Sequence, residues 1–199
     1  MHADFAVELG PDDPVLELPW ASDDPSIRYY DLKSSPELVR QIPEAIAYPE
    51  LGAFLTRINA SGSPFETAKC DVWQSREISV EEEIFGADQK FASYIDLVFT
   101  DEAMRGSFEK HEEFAKELCL LLSHAPDTLA TIELIIRRCY FRRRCASDAN
   151  ADPSPSTLIS GFYFTVYVTG FGNKEYEPLR QWEIATVLCQ HALMQISRS

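Results

Sequence analysis

The order strand, strand, helix occurs twice in this chain of 199 residues, and it limits the possible folds more than any motif does. Apolar and alternating patterns predict strands at 66–74, 91–100, 129–143 and 157–169. Helical patterns follow the two pairs of strands, at 108–123 and at about 176–196. Because the strands come in consecutive pairs and do not alternate with helices, a parallel sheet is not expected. The order predicts an α+β fold, a two-layer sandwich in which helices cover one face of an antiparallel sheet.

The two halves of this pattern are offset by about 68 residues. At that offset "SYIDLVFTD" falls on "GFYFTVYVT". The strand phases disagree by one residue in places, and a one-residue slip exchanges the two faces of a strand. A fold built from two ββα units is therefore a hypothesis that the sequence leaves open.

The N-terminal region is rich in proline and acidic residues, above all in "GPDDPVLELPWASDDPS" at 10–26. Prolines at this density exclude a helix. We expect an extended arm over residues 1–25 that Leu16, Leu18 and Trp20 hold against an apolar surface. Residues 26–199 are then expected to form a single α+β domain.

Before the first strand pair, "SIRYYDL" at 26–32 predicts a short strand. Ser35-Pro36-Glu37 begins a helix that breaks near Pro43 and Pro49 and ends after Ile58. The resulting order of helix, two strands, helix, two strands and helix, in an acidic chain, resembles that of type III secretion chaperones. This fold-level resemblance implies a small acidic dimer that binds an extended segment of another protein.

Strand alternation predicts which side chains lie on the sheet face away from the helices. These are Asp71, Trp73, Tyr94, Asp96, Glu133, Arg137, Tyr163 and Tyr167. Aromatic residues mixed with charges are typical of a recognition surface. The alternative is a solvated face whose cross-strand pairs stabilise the sheet.

Five arginines fall within eight residues at the end of the predicted strand 129–143, although the chain has a formal charge of −14. They are Arg137, Arg138, Arg142, Arg143 and Arg144, with Tyr140 among them. One interpretation is an internal latch that pairs Arg142–Arg144 with Glu81–Glu83. The other is a binding site for an anion or an acidic partner, in which Tyr140 takes part.

Three carboxylates lie within predicted strands, and they suggest a different function. If Asp71, Asp96 and Glu133 converged on one face, they could hold Mg²⁺ or Mn²⁺ for a metal-dependent hydrolase. No zinc spacing, phosphate-binding glycine loop or nucleophile motif occurs beside them. The sequence therefore predicts no cofactor and keeps the hydrolase only as an alternative.

The last predicted helix is apolar nearly all round from Ile184 onward, with only a narrow polar stripe. A helix of this kind is buried on more than one side. This pattern predicts a homodimer that forms through the C-terminal helix.

Charge and composition narrow the class of function. A formal charge of −14 argues against binding to nucleic acid or to anionic membranes and favours a basic partner. No stretch is long and apolar enough for a membrane span, no secretory signal is recognisable, and the five cysteines lack paired spacing, so a cytoplasmic protein is expected. We expect a non-enzymatic, homodimeric protein-binding module. The alternatives are the hydrolase and a small chaperone-like protein that binds an extended segment of its partner.

Overall fold

A computed structural model describes residues 1–24, 27–142 and 158–196, and it contains a mixed six-stranded sheet with helices packed on it. The strands are β1 (His2–Glu8), β2 (Leu16–Leu18), β3 (Phe65–Ser75), β4 (Gln89–Phe99), β5 (Ala130–Arg142) and β6 (Leu158–Gly172). Their order across the sheet is β1-β5-β6-β4-β3, and β2 also pairs with β5. The α+β prediction is confirmed.

The helices cover one face of this sheet, which we call the inner face. They are α1 (Pro43–Ala47), α2 (Pro49–Ile58), α3 (Glu102–Gly106), α4 (Phe108–Ser123) and α5 (Glu177–Ile196), with short 3₁₀ helices at Pro36–Gln41 and Glu82–Phe85. As predicted, a helical segment begins at Pro36 and is interrupted near Pro43 and Pro49, and each of these prolines stands in the first turn of a helix. Trp182 of α5 is fully buried and donates its indole N–H to Ser93 Oγ of β4 at 2.8 Å. The order β3–β4–α4 is repeated by β5–β6–α5, with α3 and the 3₁₀ helix Glu82–Phe85 inserted in the first of the two.

The first strand was not predicted, and it makes the sheet mixed. β1 and β2 both run parallel to β5, on the side of β5 away from β6, whereas all other neighbouring strands are antiparallel. Residues 2–8 do alternate: Ala3 and Phe5 pack on the core, while His2 and Asp4 are exposed. The sheet is therefore mostly antiparallel, as predicted, and becomes mixed only through β1 and β2 at this edge of the described strands.

A β-bulge in β3 shifts the phase of that strand. Thr67 pairs with Leu97 and Cys70 with Ile95, so Ala68 and Lys69 together lie opposite Asp96. Strand alternation without a bulge would place Ala68 on the helix-covered face, together with Cys70 and Val72. It packs on the opposite side instead, which we call the outer face.

The N-terminal segment covers one end of the outer face. Leu16 and Leu18 are buried there against side chains of four strands, namely Ala68, Val98, Cys139, Phe141 and Tyr163. Trp20 donates its indole N–H to the carbonyl oxygen of Ala68 at 2.8 Å. The three residues expected to hold this segment, Leu16, Leu18 and Trp20, therefore do contact an apolar surface.

The predicted strand at 26–32 is wrong for its described part, because residues 27–32 are in turns and irregular structure. Leu32 is buried in the main core. Next to it, the Lys33 ammonium donates to the carbonyl oxygens of Ala60, Ser63 and Phe65 at 2.9, 2.6 and 2.9 Å. Three backbone acceptors thus fix this stretch to the turn before β3.

Much of the apolar surface of helix α5 is buried by contacts within the same chain. It lies on the sheet with α2 and α4 on either side of it. Ile184 and Val187 remain 40% exposed. Within the described residues, no helix is both long and apolar enough to span a membrane.

Candidate functional site

Within residues 1–24, 27–142 and 158–196, the outer face of the sheet is covered at its two ends and open between them. The N-terminal segment with Leu16, Leu18 and Trp20 lies over one end. At the other end Phe85 stacks on Phe171 of β6, with ring centroids 4.4 Å apart. The open middle is thus the part of this face that a partner can reach.

One cross-strand row of residues runs through the open middle. Across β1, β5, β6, β4 and β3 it consists of Asp4, Glu133, Tyr167, Tyr94 and Asp71. The rings of Tyr94 and Tyr167 are 6.2 Å apart. On the β3 side of Tyr94, the ring centre of Trp73 lies 6.4 Å from that of Tyr94, and Trp73 is 37% exposed. We call these six residues the acidic aromatic patch.

A hydrogen-bonded network lies beside the patch. Nε and Nη2 of Arg137 are both 2.7 Å from Glu8 Oε2. Its Nη1 donates to Thr165 Oγ1 at 2.8 Å, and that hydroxyl donates to Asp96 Oδ1 at 2.7 Å. The network joins β1, β5, β6 and β4, so the positive charge of Arg137 is already engaged by side chains of the same protein.

The patch and its neighbours carry more negative than positive charge. Burial raises the pKa of Asp96 to about 6, against the Thr165 hydrogen bond and the charges of Lys69 and Arg137. Burial and the charges of Asp4 and Glu8 raise the pKa of Glu133. Carboxylates that repel one another would be stabilised by a cation from outside.

The other cation near the patch is also engaged. The Lys69 ammonium lies 5.1 Å from the centre of the Trp20 ring, within cation–π distance. Burial and the charges of Asp96 and Asp71 raise the pKa of Tyr94 to about 12, so its hydroxyl is neutral near pH 7. The patch therefore offers neutral aromatic rings beside carboxylates.

The residues predicted for the recognition surface all lie on the outer face, but not all of them are accessible. The structure brings Trp73, Tyr94 and Tyr167 together. Tyr163 is only 3% exposed, because the N-terminal segment covers it. Arg137 lies within the network described above.

The arginine cluster does not form one surface. Arg137 lies on the outer face, whereas strand alternation puts Arg138 and Tyr140 on the inner side of β5, where both are exposed. Arg142 is the last residue of β5. Arg143 and Arg144 lie outside the described residues.

The latch between Glu81–Glu83 and the arginines is wrong as far as the described residues go. Glu82 pairs with Lys90 at 2.7 Å. Its loop lies where β6 ends, since Phe85 stacks on Phe171. Arg142 pairs with Leu158, where β6 begins. The length of β6 therefore separates the loop of Glu82 from the backbone of Arg142.

The carboxylates predicted for the hydrolase do not converge. Asp71 and Glu133 share a row but are separated by β4 and β6, which place Tyr94 and Tyr167 between them. Asp96 lies in the next row and is only 5% exposed. Among the residues that the structure describes, no three His, Cys, Asp or Glu side chains are grouped so as to hold a metal ion.

Four residues of this region were not predicted as site residues: Asp4, Glu8, Lys69 and Thr165. Asp4 and Glu8 could have been found from the alternation of residues 2–8. The positions of Lys69 and Thr165 depend on the bulge and on the order of the strands, which local patterns do not show.

No protein-family model, no curated protein and no solved structure matches this chain, so its function has to be inferred from its own residues and their geometry.

Proposed function

We propose that this protein is a cytoplasmic, non-enzymatic binding module and that the acidic aromatic patch binds a basic segment of a partner protein. The observation that carries the proposal is the row in which two tyrosines lie between carboxylates. Among the described residues, the patch is bounded at both strand ends and reaches the β3 edge of the sheet at Asp71. This shape suits a narrow segment better than a folded domain.

The chemistry of the patch favours lysine or arginine side chains. An ammonium or guanidinium group over an exposed tyrosine or tryptophan gains about 0.5–1 kcal/mol. Burial raises the pKa of Glu133, and the charges of Asp4 and Glu8 raise it further; the same group would relieve that repulsion. The acidic surface also increases the rate of encounter with a basic partner, and salt weakens that effect.

A chaperone-like function remains an alternative of the same class. In this alternative the partner's bound segment is unfolded, and binding keeps it so. The patch is compatible with this, because an extended segment presents more basic side chains to it than a folded surface does. A small interface of this kind favours weak or transient binding.

Charge reversal at Asp71 is expected to weaken binding of a basic peptide by on the order of 10-fold, about 1.4 kcal/mol. The probe is an acetylated, amidated octapeptide of alternating lysine and valine, titrated by calorimetry. Asp71 is exposed, so Asp71→Lys should leave the fold intact. The matched control is Glu117→Lys, which changes the net charge equally at an exposed position on α4 and should leave the affinity nearly unchanged.

Two results would contradict the proposal. One is equal binding of a glutamate–valine octapeptide. The other is equal loss in Asp71→Lys and Glu117→Lys, which would mean that the peptide responds only to the net charge of the protein.

We also propose a homodimer through α5, supported by the exposed side chains of Ile184 and Val187. Light scattering is expected to give twice the mass of one chain, and Val187→Glu to give the mass of a single chain because it places a charge in the apolar contact. A single-chain mass for the unaltered protein at high concentration would contradict this expectation.

A further inference from the structure

Strand β3 forms one edge of the sheet, and its first half is closed by other parts of the chain. Before the bulge, the Phe65 N–H donates to Ser63 Oγ at 3.2 Å and its carbonyl accepts from Lys33 at 2.9 Å. The Thr67 N–H donates to Asn59 Oδ1 at 3.0 Å. The Ala68 carbonyl accepts from Trp20. These bonds occupy four of the backbone groups that face away from β4.

The second half of the same edge is different. Alternate residues of an edge strand turn both backbone groups outward. After the bulge these residues are Cys70, Val72 and Gln74. The Val72 N–H donates to the carboxylate of its neighbour Asp71 at 2.7 Å. In the parts of the chain that the structure describes, no side chain from another element bonds to the backbone of 70–75.

We propose that the partner's segment binds as an added β-strand along residues 70–75 of β3. This inference rests on the proposed function and specifies that the segment lies along the β3 edge, where Asp71 and Trp73 form one end of the acidic aromatic patch. Main-chain bonds to Cys70, Val72 and Gln74 would supply affinity that does not depend on side chains. A carbonyl of the segment takes the place of the Asp71 carboxylate on Val72, and the released carboxylate pairs with a basic side chain.

The two sides of the edge define the class of segment that fits. On the outer side the neighbours of an added strand are Asp71 and Trp73, an acid and an aromatic ring. On the inner side they are Cys70 and Val72, which pack against the core. A cavity of about 620 Å³ adjoins the edge at Lys69 and Cys70, and Leu32, Ile42 and Leu55 are among its lining residues. Because the side chains of a strand alternate, the segment should alternate basic and apolar residues over about six positions.

Val72→Pro is expected to lower the affinity for the lysine–valine octapeptide at least 10-fold, because it removes the central outward N–H of the open edge. Proline is tolerated on an edge strand where the N–H faces solvent, so β3 should still pair with β4. The matched control Val72→Ala keeps the N–H and is expected to stay within about 3-fold of the unaltered protein. Thermal unfolding checks that both variants are folded.

A second measurement does not depend on the variants. Octapeptides N-methylated at one position at a time should lose affinity with a period of two, since only alternate peptide N–H groups face β3. Loss without this period, or normal binding to Val72→Pro, would overturn the added-strand inference. In either case, if Asp71→Lys still weakens binding and Glu117→Lys does not, the proposed function stands. If the unmodified octapeptide does not bind at all, the proposed function and the inference fail together.

Discussion

Replacing Gly170 by alanine is expected to lower the free energy of unfolding by about 3 kcal/mol or more. A Cβ atom at this position would collide with the backbone of α5, at the Pro178 carbonyl oxygen and the Trp182 nitrogen. Neither atom can move aside as the end of a flexible side chain can. Overpacking in a core costs typically about 1–3 kcal/mol, and a collision with helix backbone belongs at the upper end.

The control for this prediction is Gly62→Ala, where a Cβ atom would meet no atom within 4 Å. That change is expected to stay within about 0.5 kcal/mol of the unaltered protein. Both free energies come from urea denaturation followed by circular dichroism. A loss below about 1 kcal/mol in Gly170→Ala would mean that α5 can shift on the sheet without cost, and that its close approach to β6 does not hold the helix layer in place.

Alternation within single strands predicted the composition of the outer face well. In β4 and β6 the inner residues are Ile95, Leu97, Phe164 and Val166, and their neighbours point outward. What the alternation cannot show is which strands are adjacent. Because β4 and β6 are neighbours and β5 lies beyond β6, Tyr94 meets Tyr167 while Asp71 and Glu133 are kept apart. The aromatic part of the patch was therefore predictable, whereas the convergence predicted for Asp71, Asp96 and Glu133 is not found.

The arginine cluster was interpreted as a single feature of the sequence, but the strand separates its members. Five arginines in eight residues look like one feature, but consecutive strand residues point to opposite faces. Arg137 forms its ion pair with Glu8, a residue about 130 positions earlier in the chain. Pairing between segments so distant leaves no trace in local patterns. The alternation of residues 2–8 indicates a strand, but local patterns cannot show that it pairs in parallel with β5.

Asp96 is expected to make the folded protein less stable as the pH rises from about 4 to about 6. Its pKa is 3.8 in ordinary surroundings and about 6 in the folded protein, mainly because the side chain is buried. Below about pH 4 the Asp96 carboxyl is protonated in both the folded and the unfolded protein, so its ionisation does not lower the free energy of unfolding. From about pH 4 to about pH 6 the unfolded chain loses the proton first, so unfolding is favoured. Above pH 6 the carboxyl is ionised in both states, and its burial lowers the free energy of unfolding by up to about 3 kcal/mol.

Asp96→Asn should remove this cost, because an amide stays neutral and its oxygen still accepts the hydrogen bond from Thr165. The variant is therefore expected to match the unaltered protein near pH 4 and to exceed its stability increasingly up to pH 6, with a constant difference above. Urea denaturation at intervals between pH 4 and 7.5 measures that difference. Asp71→Asn, an exposed acid on the same face, is the control and should change little at any pH. If Asp96→Asn were less stable at pH 7, the charges of Arg137 and Lys69 would outweigh burial, and the carboxylate would stabilise the sheet instead of straining it.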